Sequence, residues 1–144
     1  MVTIAPATVD DCRQCAALLV GQLSEHGVDA SAKQLAQVLE NVVADAGRGY
    51  LLLARESGRI IGVAYVATIL SAEHCGLVGW LEELYVLPEH RSRGVGTALL
   101  TAILEIIRPS IGSGAIISLR KRETSCYLLL RQPNDAKEHA DAKS

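Results

Sequence analysis

The residues of this 144-residue chain that could do chemistry are concentrated in segment 80–100, WLEELYVLPEHRSRGVGTALL. Arg91, Gly94 and Gly96 fall where a strand must turn into a helix. Glycine lets the backbone approach a ligand closely, and the first N–H groups of a helix lack intrahelical partners. With the helix dipole, and with charge from Arg91 and Arg93, these N–H groups form an anion site. The segment therefore predicts a place for the two phosphates of a pyrophosphate.

Other phosphate-binding loops fit this segment less well. The Walker pattern G-x-x-x-x-G-K-[ST] is absent from the sequence. The dinucleotide fingerprint G-x-G-x-x-G lacks its third glycine, because Leu99 stands at that position. The glycines alone leave two alternatives open: an ordinary strand-to-helix turn, and a nucleotide-binding domain that uses the same turn.

The composition limits the classes of protein to which the chain can belong. A hydrophobic fraction of 49% and a mean hydropathy of +0.24 exclude a disordered chain. With 3% aromatic residues and no Phe, the core must be aliphatic. The net charge of −2 provides no basic excess for binding nucleic acid or an anionic membrane. Four scattered cysteines, no apolar run of about 20 residues, and no signal-peptide pattern predict a reduced, cytoplasmic protein.

The elements that must position segment 80–100 are indicated by hydrophobic spacing and by capping residues. Thr8 with Asp11, and Ser31 with Gln34, are typical capping boxes at helix starts. Apolar residues recur at helical spacing over 95–106, which predicts an amphipathic helix. The predicted elements are, in order, a strand at 2–4, helices at 8–27 and 31–47, strands at 50–54, 60–70 and 77–87, a helix at 95–109, a strand at 115–119 and a helix at 123–132.

This order predicts one domain of the α/β (α+β) class over residues 1–132, followed by a polar tail at 133–144. Several strands in a row, followed by one strand–helix–strand unit, indicate a mixed sheet with helices on its faces. No internal repeat and no linker divides the chain.

The pattern Arg91-x-x-Gly94-x-Gly96, after a strand at 84–88 and before an apolar helix, resembles the acetyl-CoA motif of the GNAT N-acetyltransferase superfamily. The opening TIAPATVDD and the strand segment GRIIGVAYV resemble parts of the same fold, so the resemblance covers roughly residues 2–119. It implies a mostly antiparallel mixed sheet with helices on both faces. It also implies acetyl-CoA as cosubstrate, with no metal.

The resemblance implies contacts with two parts of acetyl-CoA. The backbone of Leu84, Tyr85 and Val86 would pair with the pantetheine arm. The pyrophosphate loop would consist of Arg91, Ser92, Arg93, Gly94, Val95, Gly96 and Thr97, which would act mostly through backbone N–H groups.

Transfer of acetyl to an amine needs a base and an oxyanion donor. The segment LEELYV resembles family members in which the first acid of the pair is the general base. This implies Glu82 as the base, directly or through a water, with Glu83 second. Because adjacent strand residues face opposite sides, only one of the two is expected to enter the cleft. A backbone N–H near Val86 would be the oxyanion donor. The alternative is that both glutamates are solvated or paired strand carboxylates.

A general acid for the leaving thiolate is implied by RKRETSCYLLLRQ, which resembles the family helix after the fifth strand. Tyr127 takes the position of the acid. The segment departs from the family pattern at Arg120, Glu123, Arg131 and Gln132. The alternative is a tyrosine that packs one side of a helix.

Three functions remain as hypotheses. The first is an N-acetyltransferase that moves acetyl from acetyl-CoA to a primary amine of a small molecule or peptide. The second is a non-catalytic acetyl-CoA-binding or regulatory module of the same fold. The third is a nucleotide-binding domain.

Two further features have simpler explanations. Cys12 and Cys15 form a single C-x-x-C on the apolar stripe of the first helix, which favours small buried residues over a metal or redox site. A local basic cluster could meet the 3′-phosphate of CoA or simply form a solvated face; it consists of Arg120, Lys121, Arg122 and Arg131.

The end of the chain departs from the resemblance, which implies two more strands after the segment that carries Tyr127. Residues 132–144 are too polar to form a buried hairpin, so we expect the C-terminal strands to be shortened or missing. Three explanations stay open: a shortened fold, an altered or truncated reading frame, or an edge completed by another subunit. An open sheet edge invites pairing, so a homodimer is predicted.

Overall fold

Nine helices and strands are seen in the computed structural model, which describes residues 1–72, 76–111, 116–122 and 125–131. They are β1 (Val2–Pro6), α1 (Cys12–Glu25), α2 (Ala32–Ala44), β2 (Gly49–Glu56), β3 (Arg59–Ser71), β4 (Gly76–Val86), α3 (Val95–Ile111), β5 (Ile116–Arg122) and β6 (Ser125–Arg131). Short 3₁₀ turns at Val9–Asp11 and Pro88–His90 precede α1 and the loop that leads to α3.

Strands β1 to β4 form one antiparallel sheet in the order β1-β2-β3-β4. Helix α3 packs on one face through Val95, Leu99 and Ile103. Helices α1 and α2 pack on the other face, where Leu19 and Leu39 are buried. The predicted α/β fold with helices on both faces of a mostly antiparallel sheet is therefore confirmed, and so is the predicted element order from β1 to β5.

The core is aliphatic and divided between the two faces of the sheet. Strand β2 shows the division, because successive strand residues point to opposite sides. Leu52 and Ala54 are buried against α3. Leu51 and Leu53 are buried against α1 and α2. The compact apolar run at the start of β2 is thus a strand covered on both faces.

Helix α3 approaches the sheet closely at Gly62 of β3. A Cβ atom at this position would lie 3.2 Å from Leu99 Cδ1, 3.3 Å from Val95 Cγ1 and 3.3 Å from the Tyr85 carbonyl oxygen. Glycine therefore lets α3 dock against β3 and β4, which sets the position of the loop that precedes the helix.

The chain enters α1 through the predicted capping box. The Thr8 N–H donates to Asp11 Oδ2 over 2.8 Å, and the Thr8 hydroxyl donates to the same oxygen over 3.0 Å. Asp11 also binds Arg55 of β2. Burial raises the pKa of Asp11, but the Thr8 hydrogen bonds and the Arg55 charge outweigh it and hold the pKa below its ordinary value. The cap therefore also ties the start of α1 to the sheet.

The last predicted helix, at 123–132, is wrong: residues 125–131 form strand β6. It pairs antiparallel with β5, with Arg120 opposite Tyr127, and it lies next to β4. Two apolar runs, IISL and CYLLL, flank the polar RKRETS, which is a hairpin pattern. Pairing satisfies the backbone hydrogen-bonding groups of both runs at once. This favours a strand over the helix that the spacing of the second run alone indicates. The predicted polar tail at 133–144 lies outside the described residues.

No helix in the part of the chain that the structure describes is both long enough and apolar enough to cross a membrane.

Candidate active site

A β-bulge in β4 sets the directions of the two acidic residues. In the β3–β4 ladder Tyr65 is opposite Glu83 and Val66 is opposite Leu81, so Glu82 is an extra residue without a partner on β3. Leu81 and Leu84 both pack in the cluster against α3. The two residues between them therefore lie on the other face of the sheet. The expectation that adjacent Glu82 and Glu83 face opposite sides is wrong, because the bulge breaks the strand alternation.

The two carboxylates differ in their surroundings. Glu82 is exposed, whereas Glu83 is partly buried. Burial and then the charge of Glu82 raise the pKa of Glu83 above its ordinary value, and nearby His26 acts in the opposite direction. Two close carboxylates resist carrying charge together. The site therefore contains an accessible carboxylate and a second, less solvated one that holds its proton more strongly than an exposed glutamate.

Tyr65 connects the carboxylates to a cleft. Burial raises the pKa of the Tyr65 phenol, the charge of Glu82 raises it further, and the charge of Arg48 opposes this. The cleft has a volume of about 380 Å³. It is lined by Val38, Asn41, Val42, Gly47, Arg48, Tyr65 and Thr68. Tyr65 thus lies on the wall of the cleft and within electrostatic reach of Glu82.

Arg48 and Tyr65 line the cleft but are not predicted by the sequence. Arg48 follows the end of α2 and Tyr65 lies in the middle of β3, so no local motif joins them. One weak signal was present, because Tyr65 interrupts the otherwise small and aliphatic segment GRIIGVAYV.

The three residues expected to hold the pantetheine arm lie at the end of β4. Leu84, Tyr85 and Val86 pair with Ala64, Val63 and Gly62 of β3. The end of the strand is fixed from outside by the following loop. Arg91 Nε donates to the Val86 carbonyl oxygen over 2.8 Å, and the Arg91 guanidinium lies 5.4 Å from the centre of the Tyr85 ring.

The predicted pyrophosphate loop has the backbone geometry of an anion site. Ser92 and Gly94 have φ values of +63° and +81°, so the chain turns through left-handed conformations just before α3. The Ala98 N–H donates to the Gly94 carbonyl over 3.0 Å, which begins the helical hydrogen bonds. The N–H groups of Val95, Gly96 and Thr97 precede that bond and have no acceptor within the helix. Residues 91–97 therefore fit an anion held by backbone N–H groups.

The arginine side chains of this loop point to protein partners. Arg91 is held by Val86 and Tyr85 as described above. Arg93 Nη2 donates to Glu56 Oε1 over 3.3 Å, and Arg93 Nη1 lies 3.1 Å from His90 Nδ1. His90 Nδ1 in turn lies 3.2 Å from Glu56 Oε2. The two arginines shape the loop, and this agrees with an anion site made mostly from the backbone.

The structure brings most of the predicted site residues together along β4 and the start of α3. Glu82, Glu83 and residues 84–86 follow one another on β4, and loop 91–97 continues from its end. Tyr127 lies in β6, and not on a helix as predicted. The basic residues of the local cluster lie on the same hairpin. Arg120, Lys121 and Arg122 belong to β5, and Arg131 belongs to β6.

Cys12 and Cys15 are buried free thiols of α1, as expected from the apolar stripe. Burial raises the pKa of Cys15 to about 12, with smaller contributions from neighbouring charge. A thiol of this kind is protonated at neutral pH, so it is a poor nucleophile and a poor metal ligand.

Helices thus cover both faces of the sheet, and a glycine-bearing loop with the geometry of an anion site joins the bulged strand β4 to α3. The family model of the acetyltransferase (GNAT) family matches residues 16–128. The chain therefore belongs to the GNAT acetyltransferase family.

Solved structures have the same fold. A predicted acetyltransferase with acetyl-CoA from Clostridium acetobutylicum is 19% identical, with a TM-score of 0.69 over 96% of this chain and 88% of that one. An acetyltransferase from Arthrobacter sp. FB24 is 25% identical, with a TM-score of 0.67 over 99% and 83%. A ribosomal-protein-alanine N-acetyltransferase from Brucella melitensis biovar Abortus 2308 is 21% identical, with a TM-score of 0.59 over 78% and 76%. No curated protein matches the sequence.

Proposed function

We propose that the protein is an N-acetyltransferase that moves acetyl from acetyl-CoA to the primary amine of a small molecule, with Glu82 as general base. The observation that carries this proposal is the bulge, which turns Glu82 and Glu83 to the same face of the sheet. Tyr65 lies opposite Glu83 on that face and also lines the cleft. The cleft volume of about 380 Å³ is in the range of small-molecule sites, so it favours a small acceptor over a long peptide.

The base is needed because an amine near neutral pH is mostly an ammonium ion, which is not a nucleophile. Primary alkylamines lose their proton at a pKa of about 10. Glu82 is the exposed carboxylate of the pair, so an acceptor in solution can reach it directly or through a water. Glu83 is the second candidate, since partial burial and a raised pKa make it the stronger base once it is deprotonated.

Acetyl-CoA would be held by residues 84–86 through the pantetheine arm and by residues 91–97 through the pyrophosphate. When bound, it supplies an activated acetyl thioester. The protein supports it with a stable strand end, because Arg91 fixes the Val86 carbonyl. A backbone N–H near Val86 is the proposed donor to the oxyanion that forms on attack.

Tyr127 remains the proposed acid for the departing thiolate. Its strand β6 lies next to β4, the strand that carries the carboxylates, which supports a place close to the reaction. A tyrosine is normally protonated at neutral pH and can donate that proton.

The proposal is tested by the release of free CoA thiol in the presence of amino acids, polyamines, aminoglycosides and short peptides. We expect Glu82→Gln to lower kcat/KM by about 100-fold or more, which is the usual contribution of a general base. Glu83→Gln should have a smaller effect. Glu105→Gln is the matched control, because Glu105 is an exposed glutamate of α3, the helix on the other face of the sheet. Thiol release from no amine, or full activity of Glu82→Gln, would overturn the proposal.

A second candidate is a non-catalytic acetyl-CoA-binding module of the same fold. The position of Tyr127 in a strand favours it, because the family pattern implies an acid on a helix. In that case acetyl-CoA raises the melting temperature without turnover. Ligand at 100 times its Kd stabilises the folded state by about 2.7 kcal/mol. Glu82→Gln would then leave ligand binding unchanged.

A further inference from the structure

The cleft beside the two carboxylates carries charge at one place. Among the seven residues that line it, Arg48 is the only charged one. Asn41 and Thr68 add polar groups, and Val38 and Val42 add apolar surface. Such a cleft is suited to a small ligand that has one anionic group and a short apolar body.

Arg48 has a fixed backbone and a side chain whose ion pair with Asp45 is exposed and weak. The Thr68 N–H donates to the Arg48 carbonyl over 2.9 Å, which joins this residue to the end of β3. The guanidinium lies 3.4 Å from Asp45 Oδ2, but both side chains are more than half exposed, at 65% and 58%. An exposed pair of this kind contributes little free energy. A guanidinium has five N–H donors, so Arg48 can bind a carboxylate with two parallel hydrogen bonds.

The cationic and acidic parts of the site lie on either side of β3. Arg48 precedes β2 and Glu82 lies in β4, and both strands pair with β3. Arg48 is level with Thr68, which is opposite Gly79, so Glu82 also lies three residues further along β4. Two interstrand spacings and a rise of three residues separate the two backbones by about 14 Å. The long side chains of Arg48 and Glu82 can shorten the gap between the charged groups, and Tyr65 of β3 lies between them. A ligand that spans this gap meets negative charge at one end and positive charge at the other.

We infer that the acceptor is a zwitterionic amine of the amino-acid type, whose ammonium group faces Glu82 and whose carboxylate binds Arg48. This inference rests on the proposed function, because it names the substrate class of the same site. It also predicts discrimination against diamines, since their second ammonium group would face the Arg48 guanidinium. Arg48 in the cleft and Glu82 beside it therefore select for groups of opposite charge.

Three acceptors of matched length test the inference: 4-aminobutanoate, butylamine and 1,4-diaminobutane. We expect kcat/KM to be highest for 4-aminobutanoate and lowest for the diamine. Arg48→Gln should lower kcat/KM for 4-aminobutanoate by about 10- to 100-fold, mainly through KM, which is the size expected for a charge-assisted hydrogen bond. The same variant should leave butylamine unchanged and improve the diamine.

Two further variants separate charge from shape. Arg48→Lys keeps the charge but loses the planar fork, so it should restore activity only in part. Arg59→Gln is the matched control, because Arg59 is a similarly exposed arginine that pairs with Glu89 over 3.5 Å and does not line the cleft.

The failure of the inference is distinct from that of the proposed function. Acetyl transfer with equal preference for butylamine and 4-aminobutanoate, or an unchanged Arg48→Gln, overturns the inference alone. Absence of transfer to any amine overturns the proposed function. Calorimetric binding of the same three compounds then decides the inference without turnover. The inference is supported if 4-aminobutanoate binds most tightly and loses affinity in Arg48→Gln, and any other result overturns it.

Discussion

Tyr65 lies directly opposite Glu83 in the β3–β4 ladder, and the residue before Glu83 has no partner on β3. One extra residue in β4 therefore places two consecutive carboxylates on the face that also carries the Tyr65 phenol. Burial raises the pKa of Glu83 and of Tyr65, and the charge of nearby Glu82 raises both further. A single irregularity of the ladder thus assembles three titratable groups that an unbroken strand would have separated.

Glu83 makes the stability of the protein depend on pH. Its pKa in the folded state is raised above 4.5, the ordinary value, so the folded protein binds this proton more tightly than the unfolded chain. Stability from this group is present at low pH and is lost as the pH rises through the folded pKa. We expect Glu83→Gln to raise the melting temperature at pH 7.5 relative to the unsubstituted protein, with a smaller difference at pH 4. Thermal melts at both values check this, and an equal difference at both would contradict it.

Gly94 should be needed for cosubstrate binding beyond its effect on stability. Gly94 and Gly27 have φ values of +81° and +74°, and a Cβ atom at either would meet no atom within 4 Å. Each substitution by alanine should therefore destabilise the fold by a similar amount, about 1–2 kcal/mol. Only Gly94→Ala should also weaken acetyl-CoA binding, because it alters the N–H groups of loop 91–97. Calorimetry with acetyl-CoA on both variants separates the two effects, and equal Kd values would contradict the prediction.

Gly62 and Gly21 should respond to alanine with opposite signs. A Cβ atom on Gly62 meets Leu99, Val95 and the Tyr85 carbonyl at 3.2–3.3 Å, so Gly62→Ala forces α3 away from the sheet. Overpacking of this kind destabilises by about 1–3 kcal/mol. Gly21 lies in α1 with no atom within 4 Å of its Cβ position, so Gly21→Ala should stabilise by about 0.5–1 kcal/mol. Urea unfolding of the two variants measures both changes, and a stable Gly62→Ala protein would show that the helix can shift without loss.

The predicted homodimer can be tested directly. Among the strands that the structure describes, β1 pairs on one side only, with β2, and an open edge of this kind invites a second chain. We expect sedimentation velocity at micromolar concentration to show a dimer. A monomer under these conditions would contradict the predicted homodimer.

Local signals in the sequence were sufficient to predict most of the fold. Thr8 with Asp11 marks the start of α1, and Gly94 with Gly96 marks the loop before α3, because caps and left-handed turns depend on nearby residues. The bulge at Glu82 could not be predicted in this way, because it exists only in the register between β4 and β3. That Arg48 and Tyr65 line one cleft could not be predicted for the same reason, because the strand pairing that brings them together connects distant parts of the chain. The segment around Tyr127 has helical spacing when taken alone, and it is a strand because it pairs with β5.

The contacts of Arg91 fix the distance between the β-bulge of β4 and the start of α3. The arginine clamps the end of β4 to the loop before α3, by a hydrogen bond to Val86 and by contact with Tyr85. The span from the bulge to the first turn of α3 is therefore set by the protein and not by what it binds. This fixed length limits which molecules can reach from the loop to the carboxylates.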